Sequence, residues 1–227
     1  MSIQVGEIDL IQRPGDKVIK AKIFRGLEER HFRDHEDFWL PPMLEAAKDA
    51  RSRCTAADGV VDTNLFGQEM AQLRLQDVGW DWRRLNAGYG DDSDCALFAV
   101  EAAGRTQGLM LLEGANHATR HDPKGNNLVY IERIASAPWN RGTFMGSPQF
   151  GQTGYALVRI AIEHSRDLQL DGRVALHSVS GSVSFYNKCG MTHFGPDRHK
   201  NGYDYFEMSH GQADAFSPSK LLRRGKR

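Results

Sequence analysis

Apolar and polar positions change rhythm several times along this chain, and each change marks an element. Two β-prone runs, "IQVGEIDLIQ" and "KVIKAKIFRGL", flank "RPGD", whose Pro-Gly pair predicts a hairpin turn. "ERHFRDHEDFW" is polar without a regular stripe and reads as irregular. "LPPMLEAAKDARSRC" reads as a helix with proline in its first turn, where the missing N–H costs nothing. A helical stripe resumes through Leu65, Met70, Leu73 and Leu75, and "GWDWRRLNAGYGDDSD" reads as a loop. From Cys95 the texture is that of strands. "CALFAVEAAGRTQGLMLLEG" predicts a hairpin, "ANHATRHDPKGN" a polar connection, and "NLVYIERIASAP" a longer strand. Leu157, Ile160, Ala161 and His164 then repeat at i, i+3, i+4, i+7, with Val158 and Ile162 widening the stripe, so this helix packs on a sheet. "GRVALHSV" comes next as a strand, "SGSVSFYNKCGM" as a short helix ending at Gly190, and "YDYFEMS" as a last strand.

This order predicts a mixed α/β domain: antiparallel hairpins in a central, mostly antiparallel sheet, plus one strand–helix–strand crossover. There is no repeat and no linker. Residues 1–94 supply a hairpin and two helices as the first part of the domain. Residues 95–209 form its core, and 210–227, ending in "KLLRRGKR", read as a flexible basic tail. Composition adds exclusions. Of 227 residues 40% are hydrophobic and 26% charged, enough for a real core. The 29 basic and 29 acidic side chains cancel, which disfavours a dedicated nucleic-acid binder. Cys54, Cys95 and Cys189 stand too far apart for a disulfide framework or a close-spaced zinc site. With no signal-like start and no spanning run, the expectation is a soluble cytoplasmic protein without a membrane partner.

The start of the crossover helix carries Gly146, Gly151 and Gly154. The first N–H groups of a helix lack internal acceptors and carry partial positive charge, and bare glycine backbone lets an anion approach them. No lysine comes after it as in a nucleotide P-loop, and Gly151-x-x-Gly154 lacks the first pair of the dinucleotide fingerprint. "APWNRG" at 137–142, "GQTGYALVRIAIEHS" at 151–165, "GRVALHSV" at 172–179 and "SVSFYNKCGM" at 182–191 stand in order. Over roughly residues 95–208 this set resembles the GNAT superfamily of acetyl-CoA-dependent N-acetyltransferases. That family shows a "P-x-x-R-G" strand end, an "(Arg/Gln)-x-x-Gly-x-(Gly/Ala)" loop opening a helix, and a later "FY-x-K-x-G". The sequence departs from it twice. Gly151 replaces the usual Arg or Gln, and about ten residues, including 143–150, intervene before the loop.

The resemblance implies acetyl-CoA, or another short acyl-CoA, as co-substrate, with no metal. An amine acceptor of unknown identity would attack the thioester directly in a ternary complex. It implies a cofactor site at Ile134, Ala135 and Ser136, pairing with the pantetheine, and at Gly151, Gln152, Thr153, Gly154, Tyr155 and Ala156 around the pyrophosphate. Tyr186, on the "FY" position, would protonate the leaving thiolate. Glu132 is the leading base, with Glu101, Glu113 and Asp81 behind it. Trp80, Trp82 and Trp139 are candidates for an aromatic acceptor wall. The alternative is a non-catalytic acyl-CoA-binding or regulatory module of the same fold, and a homodimer stays open. The pairs His31/His35 and His117/His121 have metal-like spacing without a third ligand, and Cys189 reads as a small buried hydrophobe.

Overall fold

The computed structural model describes residues 2–120 and 125–217, with backbone alone at 115 and 116. The elements are β1 (Ile3–Gln12), β2 (Lys17–Arg25), α1 (Glu29–Arg33), a π-helical segment (Asp34–Trp39), α2 (Leu40–Arg53), α3 (Thr63–Gln72) and α4 (Trp82–Tyr89). They continue as β3 (Cys95–Ala102), β4 (Arg105–Ala118), β5 (Asn127–Ser136), β6 (Phe150–Gly151), α5 (Thr153–Asp167), β7 (Val174–Ser178), α6 (Val183–Lys188), β8 (Thr192–Asp197), β9 (Tyr203–Met208) and α7 (His210–Ala215). The nine strands form one sheet in the order β6-β1-β2-β3-β4-β5-β7-β9-β8. Every pairing is antiparallel except β5 with β7, the two strands joined by α5. This is the mixed α/β architecture with one crossover that the pattern predicts.

The central strands read as unbroken apolar runs because both of their faces are covered. Phe98, Val100, Met110 and Leu112 face one core, shared with Leu157, Ile160 and Ala161 of α5. Their neighbours Leu97, Ala99, Leu109 and Leu111 face a second core with Trp39, Met43 and Trp82 from α2, its π segment and α4. Ala103 and Gly104, both with positive φ, close the β3–β4 hairpin in two residues.

Several local expectations need correction. "ERHFRDHEDFW" is helical, running through α1 and the π segment straight into α2. There the Leu40 N–H reaches back to the His35 carbonyl, five residues away. The widened turn lies just before Pro41 and Pro42, which bring no donor and crowd the preceding carbonyls. The expected loop after Trp80 contains α4, capped where the Asp81 carboxylate accepts from the Arg84 N–H. β4 extends to Ala118, into the expected connection. β8 lies where no strand was expected, and its "HFGP" stretch interrupts the register with β9. In the expected tail, Ser209 and Gln212 form a capping box for α7, and Ala213 and Phe216 are buried in the α5 core. His121 and residues 218–227 lie outside the described residues.

Candidate functional site

The site is opened by one irregularity in β5. Its register with β4 runs Leu111↔Arg133 and then Leu112↔Ile131, so Glu132 is an extra, bulged residue. A bulge bends its strand and reverses the facing of the residues beyond it. Val129 and Ile131 face the α5 core, but beyond the bulge it is Ile134 that packs there, while Ala135 faces the second core. β5 pairs with β7 only at Val129↔Val174 and Tyr130↔Ala175. Past those pairs the parallel strands part, leaving the outer edge of residues 133–136 without a strand partner among the described residues.

Two cavities occupy the gap. One, about 240 Å³, is lined by Ile134, Ala135 and Ser136, by Gln152 to Tyr155 at the start of α5, and by Val179, Ser182, Phe185 and Tyr186 on the β7 side. Arg74, Gln76, Asp77, Trp80 and Arg141 close it from the α3 side. The other, about 290 Å³, is lined by Tyr130, Glu132, Arg133, His177, Lys200 and Tyr203. Gln76, Trp80, Ile134, Val179, Ser182 and Tyr186 line both. Tyr186 therefore stands where the two spaces meet.

The helix start presents open donors to the first cavity. Gln152 adopts a left-handed conformation (φ 74°) and α5 begins directly after it. The first backbone bond in the helix is Ala156 N–H to the Gln152 carbonyl, at 2.9 Å. Ala156 is therefore spent on the helix, and the N–H groups of Thr153, Gly154 and Tyr155 remain as the open row. Thr153 adds an independent sign: its Oγ1 is buried without a hydrogen-bond partner among the described residues, in a residue only 3% exposed. A ligand oxygen at this spot would satisfy it. Gly154 is required by close approach, since a Cβ there would lie 2.9 Å from the Phe185 ring. Gly151 lies outside the cavity lining, in β6, where it pairs with Ile11 of β1. The intervening segment is tied down on both sides: Arg13 N–H donates to the Gln149 carbonyl at 2.8 Å, and Gln149 N–H to the Trp139 carbonyl at 2.9 Å.

Arg141, from the "APWNRG" motif, fixes the cleft's rim. Its guanidinium makes a bidentate pair with Asp77 (2.7 and 2.6 Å) and also donates to the carbonyls of Ser136 (2.9 and 2.7 Å) and Arg74 (2.6 Å). It locks the end of β5 to the α3–α4 connection.

The fold brings some of the predicted residues to the cleft and keeps others away. Tyr186 is 5% exposed, its hydroxyl has no hydrogen-bond partner among the described residues, and burial raises its phenol well above the usual tyrosine range. It stays protonated at any working pH. Glu132 reaches the second cavity, but Arg133 Nη1 holds its carboxylate. Glu101 is bound by His31 and Arg30, and Glu113 by His117; neither lines either cavity. The aromatic wall reduces to Trp80. Trp82 is 1% exposed within the second core, and Trp139 is buried with its Nε1–H on Gln107. Cys189 sits in the α5 core, its thiol pushed up by burial. Sequence reasoning passed over Gln76, Tyr130, His177 and Lys200. Tyr130 and His177 alternate with core residues on their strands, a weak signal that separates no site residue from a packing one.

The strand order, the bulge and the parted parallel pair on either side of α5 can now be set beside the sequence resemblance. The fold is the one that resemblance implies. No family model matches the chain, and no curated protein does. Among solved structures, a histone acetyltransferase HPA2 and related acetyltransferase from Corynebacterium glutamicum is 14% identical, over 80% of this chain and 92% of that one, with a TM-score of 0.44. The PaiA N-acetyltransferase of Thermoplasma acidophilum, in complex with coenzyme A, is 14% identical over 84% and 99%, at 0.43. The spermidine/spermine N-acetyltransferase SpeG from Vibrio cholerae is 19% identical over 64% and 77%, at 0.40. The case for the fold rests on strand order and crossover rather than on these scores. No helix among the described residues is long and apolar enough to cross a membrane.

Proposed function

We propose that the chain is an N-acetyltransferase moving an acetyl group from acetyl-CoA to a primary amine by direct attack. The observation that carries this is the pair of joined cavities in the β5–β7 gap, with Tyr186 at their junction. An anion-ready helix start opens onto the first cavity, and the second has room for an acceptor.

Acetyl-CoA would supply the activated acyl group. The N–H groups of Thr153, Gly154 and Tyr155, with the unpartnered Thr153 hydroxyl, would hold the pyrophosphate. The outer edge of β5 around Ile134, beyond its pairing with β7, would hydrogen-bond the pantetheine amides as an added strand does, with the Ser136 carbonyl already held by Arg141. This leads the thioester along β5 toward Tyr186. A phenol kept protonated by its surroundings has a proton to give to a departing thiolate. Trp80 at the shared boundary would exclude water from the reacting centre.

Titration with acetyl-CoA, and then thiol release with spermidine, tyramine and Nα-blocked lysine, tests the reading. Binding with release supports it. Binding without release from any amine, unchanged in Tyr186→Phe, supports the non-catalytic module. Absence of binding removes both.

A further inference from the structure

Resting on that reading, we propose that the acceptor's proton leaves through Tyr130 and His177, with Asp197 as the positioning residue, and not through Glu132. The Tyr130 hydroxyl lies 2.6 Å from His177 Nδ1, and His177 Nε2 lies 3.1 Å from Asp197 Oδ2. Tyr130 and His177 both line the acceptor cavity, and all three side chains are buried. They come from three different strands, β5, β7 and β8, on the face of the sheet away from α5.

The chemistry fixes the direction of each hydrogen bond. The Arg120 guanidinium, the His199 N–H and His177 itself hold the Asp197 carboxyl well below the usual carboxylate range. Asp197 is thus an acceptor only, and His177 must donate to it from Nε2. Burial lowers the His177 pKa below its ordinary value, so at neutral pH the ring carries a single proton. Nδ1 is then a bare lone pair, and Tyr130 donates to it. The Tyr130 oxygen keeps lone pairs for a proton arriving from the cavity. When an ammonium gives one up, it forms a bond to the Tyr130 oxygen as the phenolic proton passes to Nδ1. The amine is left neutral, Tyr130 is unchanged, and His177 becomes an imidazolium beside Asp197. Solvent then removes that proton.

Other charges around the ring are accounted for. Arg120 and Lys200 oppose the imidazolium, and Asp197 favours it. The Tyr205 ring packs 4.8 Å from His177 and gives its hydroxyl to Glu207. Glu132, Glu113 and Arg133 bear on Tyr130, and the His117 ring stacks on it at 4.7 Å. Glu132, tied to Arg133 on its own strand, is poorly placed to compete.

The test uses the full chain and the amine of the panel that gives the fastest thiol release. Tyr130→Phe and His177→Asn should keep the acetyl-CoA dissociation constant within twofold, which also reports an intact fold. Each should lower kcat about 10²-fold, the lower range for a lost acid–base group. The wild-type kcat/KM profile should show an acid limb below pH 6.5, shifted to lower pH in Asp197→Asn and unchanged in Glu132→Gln. Imidazole ¹⁵N spectra should show His177 neutral at pH 7 with its proton on Nε2. Near wild-type kcat in Tyr130→Phe and His177→Asn, loss of the limb in Glu132→Gln, or a proton on Nδ1 overturns the relay while leaving acetyl transfer in place. A wild-type chain that does not bind acetyl-CoA overturns the enzyme reading itself, and the relay with it.

Discussion

Tyr186 and Gly154 make opposite kinds of contribution to the same cleft, and substituting each gives a different result. Removing the Tyr186 hydroxyl leaves the ring's packing against Phe185 and Phe206 intact. Tyr186→Phe should therefore fold normally, bind acetyl-CoA unchanged and lose about 10²-fold in kcat, measured by thiol release. Gly154→Ala places a methyl 2.9 Å from the Phe185 ring and forces the ring or the helix start to move. Acetyl-CoA affinity should drop about tenfold by calorimetry, with kcat little changed at saturation. Arg141→Ala removes one partner of a part-buried ion pair and three carbonyl contacts. It should cost about 3 kcal/mol, a fall in Tm of roughly 6–12 °C by calorimetric scan. At this scale the motifs "SFYNKCGM" and "APWNRG" drew out Tyr186 and Arg141, which both line the cleft. It was silent on His177, because a buried polar residue in a strand declares its partners only when the strands are assembled.

Among the elements, β5 decides the most, and it does so through one inserted residue. Deleting Glu132 would restore regular pleating and let β5 continue alongside β7 past residue 131. The expected result is a folded chain, with near-native circular dichroism, that no longer binds acetyl-CoA. The bulge was illegible in "NLVYIERIAS" because an extra residue is defined only against its partner strand. The helix from 29 to 53 was half legible: Pro41 and Pro42 mark a helix start in sequence, yet the wide turn before them lets the helix pass through. α4 was illegible because its eight residues, "WRRLNAGY", contain Gly88 and carry too few apolar positions to show a helical stripe, leaving Asp81 as its one start signal.

For the molecule as a whole, the class of fold was legible and the strand order was not. Hairpins announce themselves locally, but nothing local says that β9 inserts between β7 and β8, or that a two-residue strand at Phe150 and Gly151 extends the sheet beyond β1. The assembled sheet also sets a pH response. His35, His164 and His177 are all held below their ordinary value, mainly by burial. The unfolded chain then binds more protons than the folded one, so stability falls as pH drops below about 6.5. Asp197, depressed by its partners, adds a second loss that begins below about pH 4 and runs on toward its lower folded value. Tm measured from pH 8 to 3 should decline in two stages, and His164→Asn should flatten the first.

β6 spans only Phe150 and Gly151, yet it is fastened to β1 immediately before Gln152. A helix start moored in this way would be shaped before any ligand arrives. Little ordering entropy is then surrendered on association, and the on-rate should follow diffusion and ionic strength rather than a slow rearrangement. The glycine at 151 takes on a different meaning in that light: the position that departs from the expected motif is part of a strand pair that holds the backbone still.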